Sequence, residues 1–478
     1  MTNALEGWEI VIGLEVHCEL ATQTKLFCGC PNLFGDEPNT NVCPVCLGLP
    51  GSLPVLNEKA VELAIRLGQA LHCTVKPSVF ARKNYFYPDM PKDYQVSQYD
   101  LPTNVDGYLD LPSGKRVGIE RAHIEEDTGK NTHIGVSGRI HAAEYSLVDY
   151  NRAGIPLVEI VSRPDLRSAD DAKEYVNELR AILLATGVSD AKMEEGSMRV
   201  DANVSVRRDG DAELGKRCEI KNLNSVRSLG RAIEYEAARQ VDLITAGDRV
   251  HQQTRHWDED AGRTREGRSK EEAEDYRYFP EPDLVPLDPE PDFLERIAAS
   301  MPPLPSDRRA RLAEAAGVEP TTMGVAVAVS RGLDDLARAA IDEKGDPARV
   351  LTHVEHNLAV EGAAAVEPGA LAKLTRMEVD GALTATQAKT VLAELVENGG
   401  DPESIAKAKG FEAMDTSALE SAIDDVIAAN ADVWAKYVAG NDKAVSALTG
   451  QVMKATKGQA DGKAVNAIFQ ERRAASKG

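Results

Sequence analysis

The stretch from Pro280 to Pro291 reads PEPDLVPLDPEP, and five prolines in twelve residues fit neither a helix nor a central strand. It divides a chain of 478 residues into two unlike parts, with a shorter proline cluster following at Pro302, Pro303 and Pro305. Before the divide, period-two patterns alternate with short helical ones. From Trp8 to Leu20 the alternation is nearly strict: Trp8, Ile10, Ile12, Leu14, Val16, Cys18 and Leu20 share one face, and Glu9, Val11, Gly13, Glu15, His17 and Glu19 the other. Val200, Ala202, Val204 and Val206 alternate in the same way with Asp201, Asn203, Ser205 and Arg207. Between these, Ala172, Tyr175, Val176, Leu179, Ile182 and Leu183 form one helical stripe that Gly187 stops. After the divide the pattern is helical and Ala-rich. The reading is α+β: a mixed or antiparallel sheet domain, then all-α domains, with no fixed-period repeat.

Charge limits the function classes. The chain carries 55 basic and 77 acidic residues, a formal net charge of −22. Phosphate affinity comes from clustered Lys and Arg, so the total argues against non-specific coating of nucleic acid. The exception is the tail from Gln451, with six basic residues against two acidic. No basic segment followed by a long apolar run opens the chain, and no stretch nears the ~18–20 apolar residues of a membrane span. Seven Cys without an export signal do not suggest a disulfide framework. These features predict a cytoplasmic protein with no membrane partner.

Four of the cysteines have ligand spacing. Cys28-Gly-Cys30, twelve residues, then Cys43-Pro-Val-Cys46 can bring four thiolates to tetrahedral geometry around Zn²⁺. The loop between them has little apolar content, so a metal would give it something to fold around. An iron–sulfur cluster or four ordinary thiols are the alternatives. No open position suggests catalysis, so the motif reads as a structural, zinc-ribbon-like insertion at 28–46. Cys18, Cys73 and Cys218 read as packed small hydrophobes.

Carboxylates form a second constellation. Glu15 and His17 share a strand face, about 6–7 Å apart. Glu120, His123, Glu125, Glu126 and Asp127 are densely spaced, and Glu159 interrupts the apolar run from Pro156 to Val161. A carboxylate there is costly unless paired or bound to a cation. Oxygen-rich ligands suit Mg²⁺, although solvated faces and ion pairs would also explain each residue. Conventional nucleotide signatures are missing. The near-match from Gly262 to Ser269 has Arg268 in place of the required Lys and reads as a charged loop, and His353-Val-Glu-His356 reads as a helix surface.

Longer strings carry a resemblance. Val11–His17 (VIGLEVH), Arg82–Gln98 (RKNYFYPDMPKDYQVSQ), His123–Lys130 (HIEEDTGK), Ser146–Arg152, Lys192–Arg199, Lys221–Ser225, Asp275–Asp283 (DYRYFPEPD) and Gly450–Gln459 together resemble the B subunits of aspartyl/glutamyl-tRNA amidotransferases, from end to end. The resemblance implies a heterotrimer of A, B and C subunits. The A subunit would release ammonia from glutamine, and a small C subunit would strap the other two together. The B subunit would bind Glu-tRNA(Gln) or Asp-tRNA(Asn), phosphorylate the side-chain carboxylate with ATP and Mg²⁺, and let ammonia displace phosphate. That is a carbon–nitrogen ligase with glutamine as nitrogen donor. The resemblance further implies His17, Glu126 and Glu159 as the Mg²⁺ ligands, with Glu15 and Glu125 beside them as catalytic residues. Cys28, Cys30, Cys43 and Cys46 would be a zinc staple. The implied domains are a catalytic cradle at 1–290, a helical domain at 291–405 and a tRNA-binding tail at 406–478. Lys454 and Lys457 are candidates for phosphate contact there, a solvated helix end being the alternative. The rival class is a non-catalytic, zinc-stapled tRNA-binding scaffold. A free-standing amidase is weaker, since no Ser-Lys or Cys-His arrangement stands out.

Overall fold

The computed structural model describes residues 5–135, 143–267, 276–411, 416–456, 460 and 462–477. The chain forms two compact units, Met1–Pro305 and Ser306–Gly478. The proline run therefore lies inside the first unit, where Ile297, beyond it on α4 (Pro291–Ala299), joins the first core.

The strict alternation near the N-terminus becomes β1 (Trp8–Glu19). In chain order there follow β2 (Thr74–Val75), β3 (Ala81–Asn84), β4 (Tyr94–Ser97), β5 (Asn104–Asp110), β6 (Arg116–Glu126), β7 (Lys130–Ile134), β8 (Tyr145–Asp149), β9 (Pro156–Ser162), β10 (Met198–Arg208), β11 (Cys218–Leu223), β12 (Gln253–Asp258), β13 (Arg263–Glu266) and β14 (Phe279–Pro280). Strands β7 and β8 make a separate hairpin; the others form one twelve-stranded sheet. Its main path runs β13-β12-β11-β10-β1-β9-β6-β4-β3-β14, with β5 beside β6 and β2 beside β5. Among the described pairings all are antiparallel except β11 with β12. The sheet is therefore mixed, as the sequence suggests.

One face of this sheet is apolar. Ile12, Leu14, Val16 and Cys18 of β1, Val158 and Ile160 of β9, and Ala122 and Ile124 of β6 are all fully buried. They share a core with α1 (Glu58–Ala70), α2 (Ala169–Thr186) and α3 (Val226–Thr245). Burying each larger side chain there contributes roughly 1.5–3 kcal/mol. The helices start where side chains satisfy their free N–H groups. Asn57 accepts from Lys59 and Ala60 at α1, Ser168 from Asp171 at α2, and Ser225 from Ser228 at α3. Gly187 ends α2 at φ +68°, as its place after the helical stripe requires. The opposite sheet face carries the polar half of each strand and holds the candidate site.

The second unit contains helices alone among its described residues, in two cores. The first core is enclosed by α5 (Pro305–Ala316), α6 (Met323–Ser330), α7 (Asp334–Asp342), α8 (Pro347–His356), α9 (Pro368–Val379), α10 (Ala385–Asn398) and α11 (Pro402–Ala408). Leu419, Ile423, Leu448, Val452, Val465 and Phe469 form the other, within α12 (Thr416–Ala429), α13 (Ala431–Val438), α14 (Ala444–Ala455) and α15 (Gly462–Lys477). Among the described residues no helix is long and apolar enough to cross a membrane.

Candidate active site

Strand register assembles the polar face. His17 of β1 lies opposite Glu159 of β9, and Glu159 lies opposite His123 of β6. Residues directly opposite share a face, so all three side chains project the same way, together with Glu125 two residues beyond His123. His17 Nε2 is 3.6 Å from Glu125 Oε1 and 4.0 Å from Glu159 Oε2, and His123 Nε2 is 3.2 Å from Glu159 Oε2. The donor atoms of His17, Glu125 and Glu159 all lie within 4.8 Å of one another, a spacing that fits a single metal ion.

The two carboxylates differ in charge preference. Burial pushes Glu125 up, and the neighbouring Glu159 carboxylate pushes it further. Burial also works to raise Glu159, but His123 and then His17 outweigh it and hold that carboxyl well below the ordinary range. A divalent cation held between them would favour both ionised forms at once.

The ligand set expected from the resemblance differs from this cluster at one position. Glu125, rather than Glu126, completes the group with His17 and Glu159. Adjacent residues of a strand point to opposite faces, so Glu126 leaves the polar face. It is buried, accepting from Lys92 Nζ at 2.5 Å and from the Val96 N–H at 2.9 Å. Glu15 shares the face of His17 but stands outside the three-residue cluster, accepting from Asn203 Nδ2 at 2.8 Å.

Several flanking groups escape a reading of the sequence by motif. Lys83 of β3 faces Gln95, and Ser97 of the same strand as Gln95 faces Glu125, which puts Lys83 on the cluster's face. Its ammonium sits 4.6 Å from the centre of the Tyr276 ring, and no carboxylate among the described residues pairs with it. Arg121 lies 4.9 Å from the Tyr99 ring centre, and its buried Nε has no hydrogen-bond partner among the described residues. Tyr99 stacks on Tyr278 at 5.4 Å and meets His123 edge-on. Asn84 donates to the carbonyls of both Tyr276 and Arg277, pinning Arg277 at φ +47°. The available signal is the strand phase of Lys83 and the clustered aromatics of the two long strings.

Sulfur atoms of Cys28, Cys30, Cys43 and Cys46 also lie within 4.8 Å of one another and could hold a metal. The Cys28 thiol helps hold Cys46 down at about 5, while Cys30 is pushed up to about 11, first by burial. A cavity of about 210 Å³ beside this cluster is lined by Lys25, Cys28, Cys46, Lys92 and Glu126, among others. Cys18, Cys73 and Cys218 lie outside it, Cys18 and Cys218 buried.

Lys454 is exposed on α14, and Lys457 lies outside the described residues. Two further expectations change. His353 is not on a helix surface: it is buried, with Nε2 3.0 Å from Glu378 Oε2, because α8 turns that side toward α9. The described part of the charged segment after Gly262 is strand β13, paired with β12; Arg268 and Ser269 lie outside the described residues.

Two family models match the chain: the GatB/GatE catalytic domain over residues 10–295 and the GatB domain over residues 349–472. Similar curated proteins include one from Frankia casuarinae, 48% identical over 98% of this chain and 97% of its own length. Another, from Thermobifida fusca, is 47% identical over 98% and 95%, and one from Carboxydothermus hydrogenoformans is 47% identical over 98% and 99%. Each is named as the B subunit of an aspartyl/glutamyl-tRNA(Asn/Gln) amidotransferase.

Proposed function

Because the chain belongs to the B-subunit family of the aspartyl/glutamyl-tRNA(Asn/Gln) amidotransferases, we propose that it is the component that activates and amidates the misacylated tRNA. The reaction class is carbon–nitrogen ligation. The substrates are Glu-tRNA(Gln), Asp-tRNA(Asn) or both, with ATP. The partners are the ammonia-releasing A subunit, with its glutaminase, and the small C subunit; the assembly works in the cytoplasm.

A free carboxylate does not accept an amine, so it must first gain a leaving group. A side-chain carboxylate oxygen attacks the γ-phosphorus of ATP, the bond to the bridging oxygen breaks, and ADP departs. Ammonia then adds at the acyl carbon, the bond to the phosphate oxygen breaks, and phosphate leaves with the excess proton. Phosphoryl transfer is mostly positioning and charge neutralisation. His17, Glu125 and Glu159 fit a divalent cation such as Mg²⁺ by donor type and spacing, and it would neutralise the anions that must meet. Lys83 adds positive charge on the same face, as does Arg121, which also pairs with Glu120 at 2.8 Å. The stacked Tyr99 and Tyr278 wall one side of the cluster.

The observation that carries this reading is the convergence of His17, Glu125 and Glu159 beside a lysine with no carboxylate partner among the described residues. The cysteine cluster, by its four soft ligands, fits structural zinc away from the chemistry. Exposed Lys454, with Lys457, suits the tRNA backbone, so residues 406–478 act as the tRNA-binding tail, 291–405 as the helical domain and 1–290 as the cradle. The test is ATP-dependent transamidation by the assembled complex with each misacylated tRNA. Glu125→Gln should lower it by about 100-fold or more, while the glutaminase partner goes on hydrolysing glutamine. Unchanged ATP cleavage in that variant would instead support a metal-stapled scaffold without catalysis of its own.

A further inference from the structure

Lys25 is a buried cation that the proposed reaction does not use. Its side chain is fully buried, and its ammonium donates to the Tyr150 carbonyl at 3.1 Å. Among the described residues no carboxylate lies within ion-pair distance of it. Glu126 lines the same cavity, but Lys92 and the Val96 N–H both bond its Oε1, and it makes no ion pair with Lys25. An ammonium taken out of water costs several kcal/mol, and one neutral carbonyl does not offset that.

Two cysteines of the four-sulfur cluster, Cys28 and Cys46, line the same cavity as Lys25. The lysine's backbone N–H donates to the Cys30 carbonyl at 3.0 Å. Gly154, at φ +87°, lets these groups approach: a Cβ there would stand 3.6 Å from both Cys46 Cβ and Lys25 Cδ and 3.8 Å from Glu126 Oε2. Without a metal the cluster carries less negative charge to set against the ammonium. Four thiolates around a divalent ion carry a net charge of −2, which is itself costly to bury without a counter-charge.

We infer that Lys25 is the buried counter-charge of a metal centre at Cys28, Cys30, Cys43 and Cys46, so that lysine and metal stabilise each other. This rests on reading the four cysteines as a metal site, and it goes further: it assigns a positioning residue outside the ligand set. It also predicts a reversal of sign. With metal bound, the lysine stabilises the fold; with metal removed, the same lysine is a liability.

The test uses the full-length chain loaded with zinc, measured by competition with a colorimetric chelator and by thermal melting. Lys25→Met should release zinc to the chelator at about tenfold lower competitor concentration, and Lys25→Arg should stay close to the unsubstituted chain. In melting, Lys25→Met should fall below the unsubstituted chain when zinc is present, and match or exceed it once zinc is stripped. Equal chelator resistance, or the same melting offset with and without zinc, would overturn the inference. If Lys25→Met does not fold, Lys25→Gln against Lys25→Arg decides by the same two measurements. Failure of the unsubstituted chain to hold zinc at all would instead remove the metal site itself, a distinguishable result.

Discussion

Burial strips water from the His353 ring and lowers its proton affinity, although the Glu378 carboxylate 3.0 Å away works in the other direction. A histidine depressed in the fold binds protons more readily when unfolded, so its contribution is present above the ordinary histidine range and is lost as pH falls through the lower folded value. Amide exchange in α8 and α9 should therefore reveal a loss of stability as pH falls below the ordinary histidine range, and His353→Gln should flatten that slope; an unchanged slope would discount the histidine. On the polar sheet face, Glu125→Gln should abolish Mn²⁺ binding measured by calorimetry or paramagnetic resonance, while Glu126→Gln leaves it within about threefold. Equal losses would return Glu126 to the ligand set. Sequence alone makes His17 and Glu159 legible, one by its strand phase and the other as a charge in an apolar run. The same phase separates Glu125 from Glu126, but a resemblance supplies a residue role without a direction in space. Lys83 is only partly legible as a site residue: its strand phase is local, but the groups it meets, Glu125's face and Tyr276, lie far along the chain.

Helix α1 shows how closely an element can be fitted to the sheet. Asn104 of β5, fully buried, donates to the Ala64 carbonyl of α1 at 3.1 Å and to the Ala122 carbonyl of β6 at 3.0 Å. This bridge exists because position 68 is glycine: a Cβ there would stand 1.9 Å from Asn104 Oδ1. In an open helix Gly→Ala gains up to about 1 kcal/mol. Gly68→Ala should instead destabilise by about 2–4 kcal/mol, since the bridge must move and two buried bonds are lost. Denaturant unfolding measures the sign, and a stabilised variant would mean that Asn104 relaxes freely. Such fits are hidden from sequence, where Gly68 only weakens a helical pattern. The stripe of α2 and its Gly187 stop are legible because periodicity and a left-handed terminus are local properties. Hairpin β12–β13 is not, since its charged residues hide the strand pattern.

At the scale of the molecule, separate cores imply separable unfolding. If the four cysteines hold a metal as proposed, chelation should lower the melting transition of Met1–Pro305 by calorimetry and leave that of Ser306–Gly478 in place. A common shift of both would show that the metal's influence crosses the chain. The α+β class and helical second part are legible in the sequence, whereas the order of the twelve strands is not, because it depends on pairings between distant residues. The central place of β1 has a consequence for biosynthesis. Its partners β9 and β10 are encoded far downstream, and the bond from Leu14 N–H to Ser162 Oγ spans 148 residues. At about 5–20 residues per second, the ribosome delivers those partners roughly 10–40 s after β1 emerges. During that interval the strand bearing His17 presents both unpaired edges and a row of Ile, Leu and Val to every other nascent chain. Production of this protein is therefore most exposed to aggregation before its sheet can begin to close, and slowing translation lengthens that window.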